Sequence, residues 1–142
     1  IALAARDTYT LVDGDWLGSE LVTNGNFATD TDWSKGAGVT ISGGKANSNG
    51  SVAAYTNLLS QQSLVVGDKY KASFDAPSVS QDGLKMVIGG TDGANRTASG
   101  SYIEVLTAST DDFVVLRSST GLGQFIGSID NVSAKRLIEV AP

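Results

Sequence analysis

Short apolar runs separated by turn residues are the feature that most restricts how this chain can fold. From Glu20 onward, runs of four to eight residues rich in apolar side chains alternate with turns that contain Gly or Asp. In the run Tyr70–Ala76, four apolar side chains share one face and Lys71, Ser73 and Asp75 share the other. This period-two alternation is typical of a half-buried antiparallel strand. With 17 Gly and only 2 Pro to form turns, the sequence predicts an all-β domain.

The same pattern predicts about nine short strands. Two sheets packed face to face are expected, because a single sheet would leave one apolar face in water. The candidate strands are Glu20–Thr23, Val39–Ser42, Ala53–Leu59, Gln62–Val66, Tyr70–Ala76, Leu84–Ile88, Tyr102–Thr107, Phe113–Arg117 and Phe125–Leu137.

One stretch allows two interpretations. Ala53–Leu64 lacks Gly and Pro, and Tyr55, Leu58 and Leu59 have the spacing of one helical face. A short helix and a strand are both compatible with it. The surrounding β pattern favours the strand.

The residue types that are missing exclude several functions. There is no Cys and no His, so disulfides, thiol catalysis, histidine catalysis and zinc sites built from these residues are excluded. The net charge of −5 argues against nucleic-acid binding, which needs a basic face. No apolar run approaches the roughly 20 residues of a membrane-spanning helix, so membrane insertion is not expected.

The first 19 residues differ from the rest. A short strand over Thr8–Val12 and a turn at Asp13–Asp15 are expected there. Ile1–Ala5 has neither Met nor a basic region, which does not resemble an intact signal peptide and suggests a segment of a longer polypeptide. We therefore expect residues 1–19 to be a lead-in from an upstream region and residues 20–142 to be the domain.

Two segments have distinctive sequences. Glu20–Trp33 combines a strand, an Asn-Gly turn, an aromatic residue and an acidic loop that ends in Trp. In Gly127–Lys135, Ile129 and Val132 are three apart rather than two, so burying both requires a β-bulge at Asp130-Asn131. Such a bulge is expected to turn Asp130 toward the N-terminal loop.

These segments carry a resemblance to a known fold family. The stretches LVTNGNF, DTDW, GVTISGGKA, LVVGDKYKASFDA and FIGSIDNVSAK resemble a carbohydrate-binding-module-type jelly roll, the galactose-binding-like β-sandwich. The forms NGNFATDTDW and GLGQFIGSIDNVSAK resemble the variant found in bacteriophage tail and virion proteins. The resemblance covers roughly residues 20–137 and implies a two-sheet antiparallel jelly-roll β-sandwich. It implies little about the ligand, because a fold does not specify a function.

The resemblance also implies a structural calcium ion between the N-terminal strand region and the last strand. It would lie near Asn24, Asn26 and Asp130. Related modules usually carry an acidic residue directly after the Phe, where this chain has Ala28, and Asp30 is the candidate substitute. The alternative is that Asn24-Gly25 is a plain turn and that Asp130 accepts backbone amides at the bulge.

Sugar recognition combines an aromatic face with amide and carboxylate hydrogen bonds. The four Phe residues and Trp33 are expected in the core, whereas Tyr70 and Tyr102 are ambiguous. Trp16 and Tyr55 have more polar surroundings and are the aromatic candidates for ligand contact.

A long polar loop, residues 89–100, supplies two further candidates. Asn95 and Arg96 have the chemistry to bind hydroxyls or an anionic sugar. The alternative is a solvated loop without a ligand.

Three functions are compatible with these features. The first is a non-catalytic binding or structural module of a phage virion, in a tail fibre, spike or similar appendage, that contacts host glycan or neighbouring virion subunits; such appendages are often trimeric. The second is an accessory carbohydrate-binding module of a secreted polysaccharide-degrading enzyme. The third, an enzyme, would need a carboxylate pair drawn from Asp30, Asp32, Asp82, Asp92 and Asp130. Nothing in the sequence indicates a catalytic pocket, and turn formation is the ordinary explanation for these residues. A non-enzymatic module is therefore expected.

Overall fold

A computed structural model describes residues 9–52, 57–110, 113–118 and 124–138, and it describes no side chains for residues 62, 63 and 113–118. These ranges form β-strands only, and no helix long and apolar enough to cross a membrane occurs in them. The all-β prediction is confirmed. The strands are β1 Thr10–Val12, β2 Asp15–Glu20, β3 Ser34–Lys35, β4 Val39–Ser42, β5 Lys45–Asn49, β6 Asn57–Ser63, β7 Lys69–Gln81, β8 Leu84–Ile88, β9 Thr91–Asp92, β10 Gly100–Thr107, β11 Phe113–Ser118 and β12 Ile126–Ile138.

The strands form two antiparallel sheets. In the larger sheet the long strand β12 is central and pairs with β7 along one side. On its other side, the first part of β12 pairs with β5 and the last part with β2. Strands β4, β1 and β10 extend this sheet from β5, β2 and β7. The smaller sheet has the order β3-β6-β11-β8-β9.

The two sheets enclose one hydrophobic core, as in a β-sandwich. The larger sheet contributes the inner row of β7, in which Ala72, Phe74 and Ala76 are buried. The smaller sheet contributes Leu84, Met86 and Ile88 of β8 and the Leu58-Leu59 pair of β6. Apolar burial of this extent is the main stabilising contribution to such a fold.

Core aromatic residues agree with the prediction where they are described. Phe27, Phe74 and Phe125 are almost fully buried, whereas the side chain of Phe113 lies outside the described part of the chain. Trp33 is also buried, and its ring centroid lies 5.4 Å from that of Phe27.

Tyr70 belongs to the buried inner row of β7 and is 2% exposed. Its hydroxyl accepts a hydrogen bond from the backbone N–H of Val65 at 3.0 Å. Burial raises the pKa of the Tyr70 hydroxyl above its ordinary value, and the Val65 hydrogen bond only partly opposes this. The hydroxyl is therefore neutral in the folded protein around neutral pH.

Several strand predictions need correction. The strand predicted at Glu20–Thr23 is wrong, because β2 ends at Glu20, whose carboxylate accepts the backbone N–H of Val22. The runs Ala53–Leu59 and Gln62–Val66 were expected to be separate, but β6 spans Asn57–Ser63 without a break. Residues 57–63 are therefore strand rather than helix, and residues 53–56 lie outside the described residues.

Strand β5, Lys45–Asn49, was not predicted because it contains one apolar residue only. Its inner positions are Ala46 and Ser48, and both are buried. The Ser48 hydroxyl donates a hydrogen bond to the carbonyl of Phe125 at 2.8 Å, which replaces the apolar contact that the pattern would require.

The described residues before Glu20 form a hairpin of β1 and β2. Its turn contains Asp13 and Gly14, both with positive φ, as the Asp-Gly motif predicted. Leu17 of this hairpin is 5% exposed, and β2 is hydrogen-bonded to β12. The division between residues 1–19 and 20–142 stays a prediction.

Candidate functional site

The outer face of the larger sheet, which points away from the second sheet, carries a row of polar side chains. On β7 these are Lys71, Ser73 and Asp75, which are half-buried and alternate with the buried inner row. The strand register places Ser133 and Lys135 of β12 directly beside Ser73 and Lys71. Side chains opposite each other in neighbouring strands are close enough to act together.

A groove of about 200 Å³ lies over this row, and we call it the outer-face groove. Its base is formed by the polar row, one wall by the β1–β2 hairpin and the other by Ile103 of β10. The lining residues are Val12, Asp13, Leu17, Lys71, Ser73, Ile103, Ser133 and Lys135. The groove thus combines hydroxyl and ammonium groups with an apolar wall.

The two lysines in the groove differ in their partners. The Lys71 ammonium group is 3.0 Å from a carboxylate oxygen of Asp15 on β2, which balances its charge. Lys135 makes no ion pair or hydrogen bond with the described residues. The carboxylate of the neighbouring Glu20 accepts hydrogen bonds from the Ser133 hydroxyl at 2.6 Å and from the Ala134 N–H at 2.8 Å. An unpaired ammonium group is therefore available to a ligand in the groove.

A second, more polar recess of about 390 Å³ lies farther along β7 and β10. It is lined by Asp75, Ala76, Pro77, Ser99, Gly100 and Ser101. A carboxylate oxygen of Asp75 accepts a hydrogen bond from the side-chain amide of Asn131 at 2.8 Å. The outer face therefore carries a lysine-containing groove near one end of β7 and an aspartate-containing recess near the middle.

The predicted β-bulge in β12 is confirmed. The register with β7 shifts between Asp130 and Ser133, and Asn131 has a positive φ of 48°. Ile129 and Val132 are both buried, at 1% and 4% exposure. The Val132 N–H donates to the carbonyl of Gly25 at 2.9 Å, so the bulge does contact the N-terminal loop.

The four residues predicted to bind calcium have separate protein partners. The amide of Asn24 donates to the carbonyls of Thr29 and Thr31 at 2.6 and 2.9 Å, and Asn26 accepts the N–H of Ala28. Asp30 pairs with Lys35 at 2.6 Å, and Asp130 accepts the N–H of Asn131 at 2.8 Å. Among the described residues, no three acidic side chains form a group that could hold a metal ion.

In this arrangement the side-chain oxygens of Asn24, Asn26 and Asp130 accept backbone N–H groups, and Asp30 pairs with Lys35. The side chain of Asn24 holds the loop together through its bonds to Thr29 and Thr31. The backbone carbonyl of Asn24 also accepts the indole N–H of Trp33 at 3.0 Å. The calcium site stays a prediction from the resemblance alone.

The predicted ligand-contact residues lie at different places. Trp16 is 41% exposed, but its neighbour Leu17 lines the outer-face groove, so Trp16 points to the opposite face of β2. Tyr55 lies outside the described residues. Asn95 is exposed on the 89–100 loop. Trp16 and Asn95 are therefore not brought together with the groove by the described contacts.

The side chain of Arg96 makes its contacts within the protein. Its guanidinium group is 2.6 Å from a carboxylate oxygen of Glu104 and lies 4.5 Å from the ring centroid of Tyr102. The other oxygen of Glu104 accepts the N–H of Ala94 at 2.6 Å, and the Arg96 backbone bridges to Leu84. The charge of Arg96 is therefore paired within the protein, with Glu104 of β10.

The acidic residues considered as a catalytic pair also have separate contacts. Asp30 pairs with Lys35, Asp92 with Lys85 at 2.7 Å, and Asp32 accepts the Thr31 hydroxyl at 3.1 Å. These contacts account for the three carboxylates structurally.

The groove residues were not chosen from the sequence, although one signal was present. Lys71, Ser73 and Asp75 were recognised as a shared polar face of one strand. The contribution of Ser133, Lys135 and Ile103 depends on strand order, which the alternation does not reveal.

Comparison of the chain with known protein families, with curated proteins and with solved structures finds no match.

Proposed function

We propose that this chain is a non-catalytic binding module of a bacteriophage virion appendage, with a jelly-roll fold, and that the outer-face groove contacts host surface glycan. The observation that supports a binding role is the groove itself, in which hydroxyl groups and the unpaired Lys135 face solvent beside an apolar wall. The virion setting and the jelly-roll topology rest on the resemblance of the Glu20–Trp33 and Gly127–Lys135 segments.

The chemistry of the groove suits a polyhydroxylated ligand. Ser73 and Ser133 offer hydroxyl groups, Asp13 offers a carboxylate and Lys135 an ammonium group, so both donors and acceptors are present. Ile103 supplies an apolar contact for the C–H face of a sugar ring. Ligand sites commonly combine a few polar groups with apolar walls in this way.

The test is binding to a panel of bacterial surface polysaccharides. Lys135→Met should weaken binding of a recognised glycan about tenfold, the loss expected for one central polar contact. Its stability should change by less than about 0.5 kcal/mol, because Lys135 has no protein partner to lose.

Lys45→Met is the matched control. Lys45 is exposed at the start of β5, away from the groove, and its replacement changes the net charge equally. Equal losses from both variants would show a general charge effect. A wild-type chain that binds no glycan on the panel would contradict glycan binding and leave contact with neighbouring virion subunits.

The alternative proposal is an accessory carbohydrate-binding module of a secreted polysaccharide-degrading enzyme. The same groove would serve it, so binding data alone do not separate the two. A catalytic domain encoded beside this segment favours the enzyme module, whereas detection of the protein in purified virions favours the appendage. A trimeric state, suggested by analogy with tail appendages, is measurable on the same samples.

A further inference from the structure

Strand β10, Gly100–Thr107, is the one long strand at an open sheet edge in the described part of the chain. It pairs only with β7, through an unbroken register of eight residues. The other edge strands, β1, β3, β4 and β9, are two to four residues long. Short edges are a common protection against pairing with another chain, and β10 lacks this protection.

The hydrogen bonds at the end of β10 show which backbone groups face the open edge. The N–H and C=O of Ala108 bond to Asp68 and Gly67, on the β7 side. The carbonyl of Thr107 instead accepts the hydroxyl of Thr91 at 2.6 Å, on the far side. Because alternate residues of an antiparallel strand bond to the same neighbour, Ser101, Ile103 and Val105 direct their N–H and C=O groups away from β7.

Side chains on β10 do not block this edge. The strand has no Pro, Lys or Arg and no bulge, which are the usual devices that prevent edge pairing. Its single charged residue, Glu104, belongs to the inner row and is bound to Arg96 and Ala94. Ile103 and Val105 lie in the outer row and are 62% and 50% exposed.

We propose that β10 pairs antiparallel with β10 of a second copy of this chain, about a two-fold axis at Glu104. The outer row of β10 is nearly symmetric, with Ser101 and Thr107 at its ends and Ile103 and Val105 between them. The proposed axis places Ile103 opposite Val105 of the partner subunit, and Ser101 opposite Thr107 of the partner subunit. In the outer row, apolar groups then face apolar groups and hydroxyls face hydroxyls. In the inner row, Glu104 faces Glu104 of the partner subunit, and each carboxylate keeps the Arg96 guanidinium group of its own chain as a counter-charge.

The hydrogen-bond geometry agrees with this register. Ile103 and Val105 of the partner subunit both direct their backbone groups to the open edge, so they form a hydrogen-bonded antiparallel pair. Two-fold pairing uses the same surface on both copies and therefore closes at a dimer. The two larger sheets become continuous, which places both outer-face grooves on one surface. The pairing is independent of whether the groove binds glycan.

The first test is the mass of the complete 142-residue chain by sedimentation equilibrium over a range of concentrations. We expect a dimer of twice the 14.6 kDa chain mass. Val105→Lys should raise the dimer dissociation constant at least about tenfold, because a charge then lies at the centre of the interface. Val65→Lys is the control, since Val65 is 61% exposed but lies outside β10, and it should remain dimeric.

Val105→Pro separates strand pairing from mere apolar contact. Proline removes an N–H that points to the open edge and leaves the ladder to β7 intact, so the fold should persist while the dimer is lost. Circular dichroism checks the fold of each variant. If Val105→Pro unfolds, the dimer dissociation constant of Val105→Lys is the deciding measurement. A wild-type chain that is monomeric up to about 1 mM, a trimer, or a dimer unaffected by either variant would overturn the proposal.

Disulfide formation tests the register, since the chain has no native Cys. A mixture of the Ile103→Cys and Val105→Cys variants should cross-link into heterodimers faster than either variant forms homodimers. In the proposed register the two mixed positions face each other at a Cα separation of roughly 5.5 Å, within disulfide range. Faster homodimer formation by Ile103→Cys alone would contradict the axis at Glu104.

Discussion

The polar loops at the strand ends differ from the polar rows on the outer face of the larger sheet in what their side chains do. In the loops, Asn24 holds two carbonyls of its own segment and Arg96 pairs with Glu104. On the outer face, Lys135 has no partner in the described residues. These loop side chains therefore contribute to folding, whereas one ammonium group of the outer-face rows remains available for binding.

The largest effect on stability is expected from a substitution at Gly25, where the N-terminal loop contacts the bulge of β12. A Cβ atom at this position would lie 2.1 Å from the carbonyl oxygen of Val132, so the backbones must separate. Gly25→Ala should lower the free energy of unfolding by about 3 kcal/mol, measured by urea denaturation.

Gly18→Ala is its control. A Cβ at Gly18 meets its neighbours at 3.5 Å, which is ordinary contact, so a change within about 0.5 kcal/mol is expected. A similar small change for Gly25→Ala would show that the N-terminal loop is not built into the fold.

The next effect is expected at Glu104, which holds the 89–100 loop. Glu104→Ala removes the contacts to Arg96 and to the N–H of Ala94 and leaves a part-buried guanidinium group. The free energy of unfolding should fall by about 2 kcal/mol. Asp30→Ala is the comparison, because its pair with Lys35 is more exposed and should contribute less than about 1 kcal/mol. Equal losses would contradict the structural role of the loop.

A smaller effect on the free energy of unfolding, confined to alkaline pH, is expected from Tyr70 in the inner row of β7. Because burial raises the pKa of Tyr70, the unfolded chain loses this proton at lower pH than the folded chain. The stabilising effect is complete below the ordinary tyrosine pKa near 10 and decreases as the pH rises toward the folded value. Tyr70→Phe should therefore show a shallower loss of stability above that pH in denaturation titrations. Identical pH profiles for both proteins would exclude this contribution.

The smallest effect is expected from calcium. If the hydrogen bonds of Asn24 to Thr29 and Thr31 persist in solution, calcium added after chelator treatment should shift the Tm by less than about 1 °C and release no heat. A rise of several degrees would show that the loop rearranges around the ion, and would support the site inferred from the resemblance.

Parts of the fold with a regular apolar period could be predicted from the sequence. The limits of β4 and β8 agree with the prediction at both ends, and the spacing of Ile129 and Val132 correctly indicated the bulge. Strand β5 could not be predicted, because a buried serine replaces an apolar residue there. The 13-residue length of β7 was also missed, since Pro77 and the polar residues after it interrupt the alternation.

The candidate site was less predictable than the fold. Residue type alone favoured Arg96 for binding, yet its guanidinium group pairs with the carboxylate of Glu104 on β10. Lys135 was not chosen, and its availability depends on the Glu20 carboxylate bonding Ser133 and Ala134 instead. Which cation or N–H group a carboxylate pairs with depends on distances in the folded chain, and the linear sequence does not contain these distances.

By itself the sequence determined the all-β class, the absence of thiol and imidazole chemistry, and the polar face of β7. Each of these follows from residue type or from the two-residue period of a strand. Only the tertiary structure decided which strands lie side by side. That order places Ile103, Ser73 and Lys135 around one groove and leaves β10 at an open edge. Strand order results from packing between residues far apart in the chain, and local periodicity does not encode it.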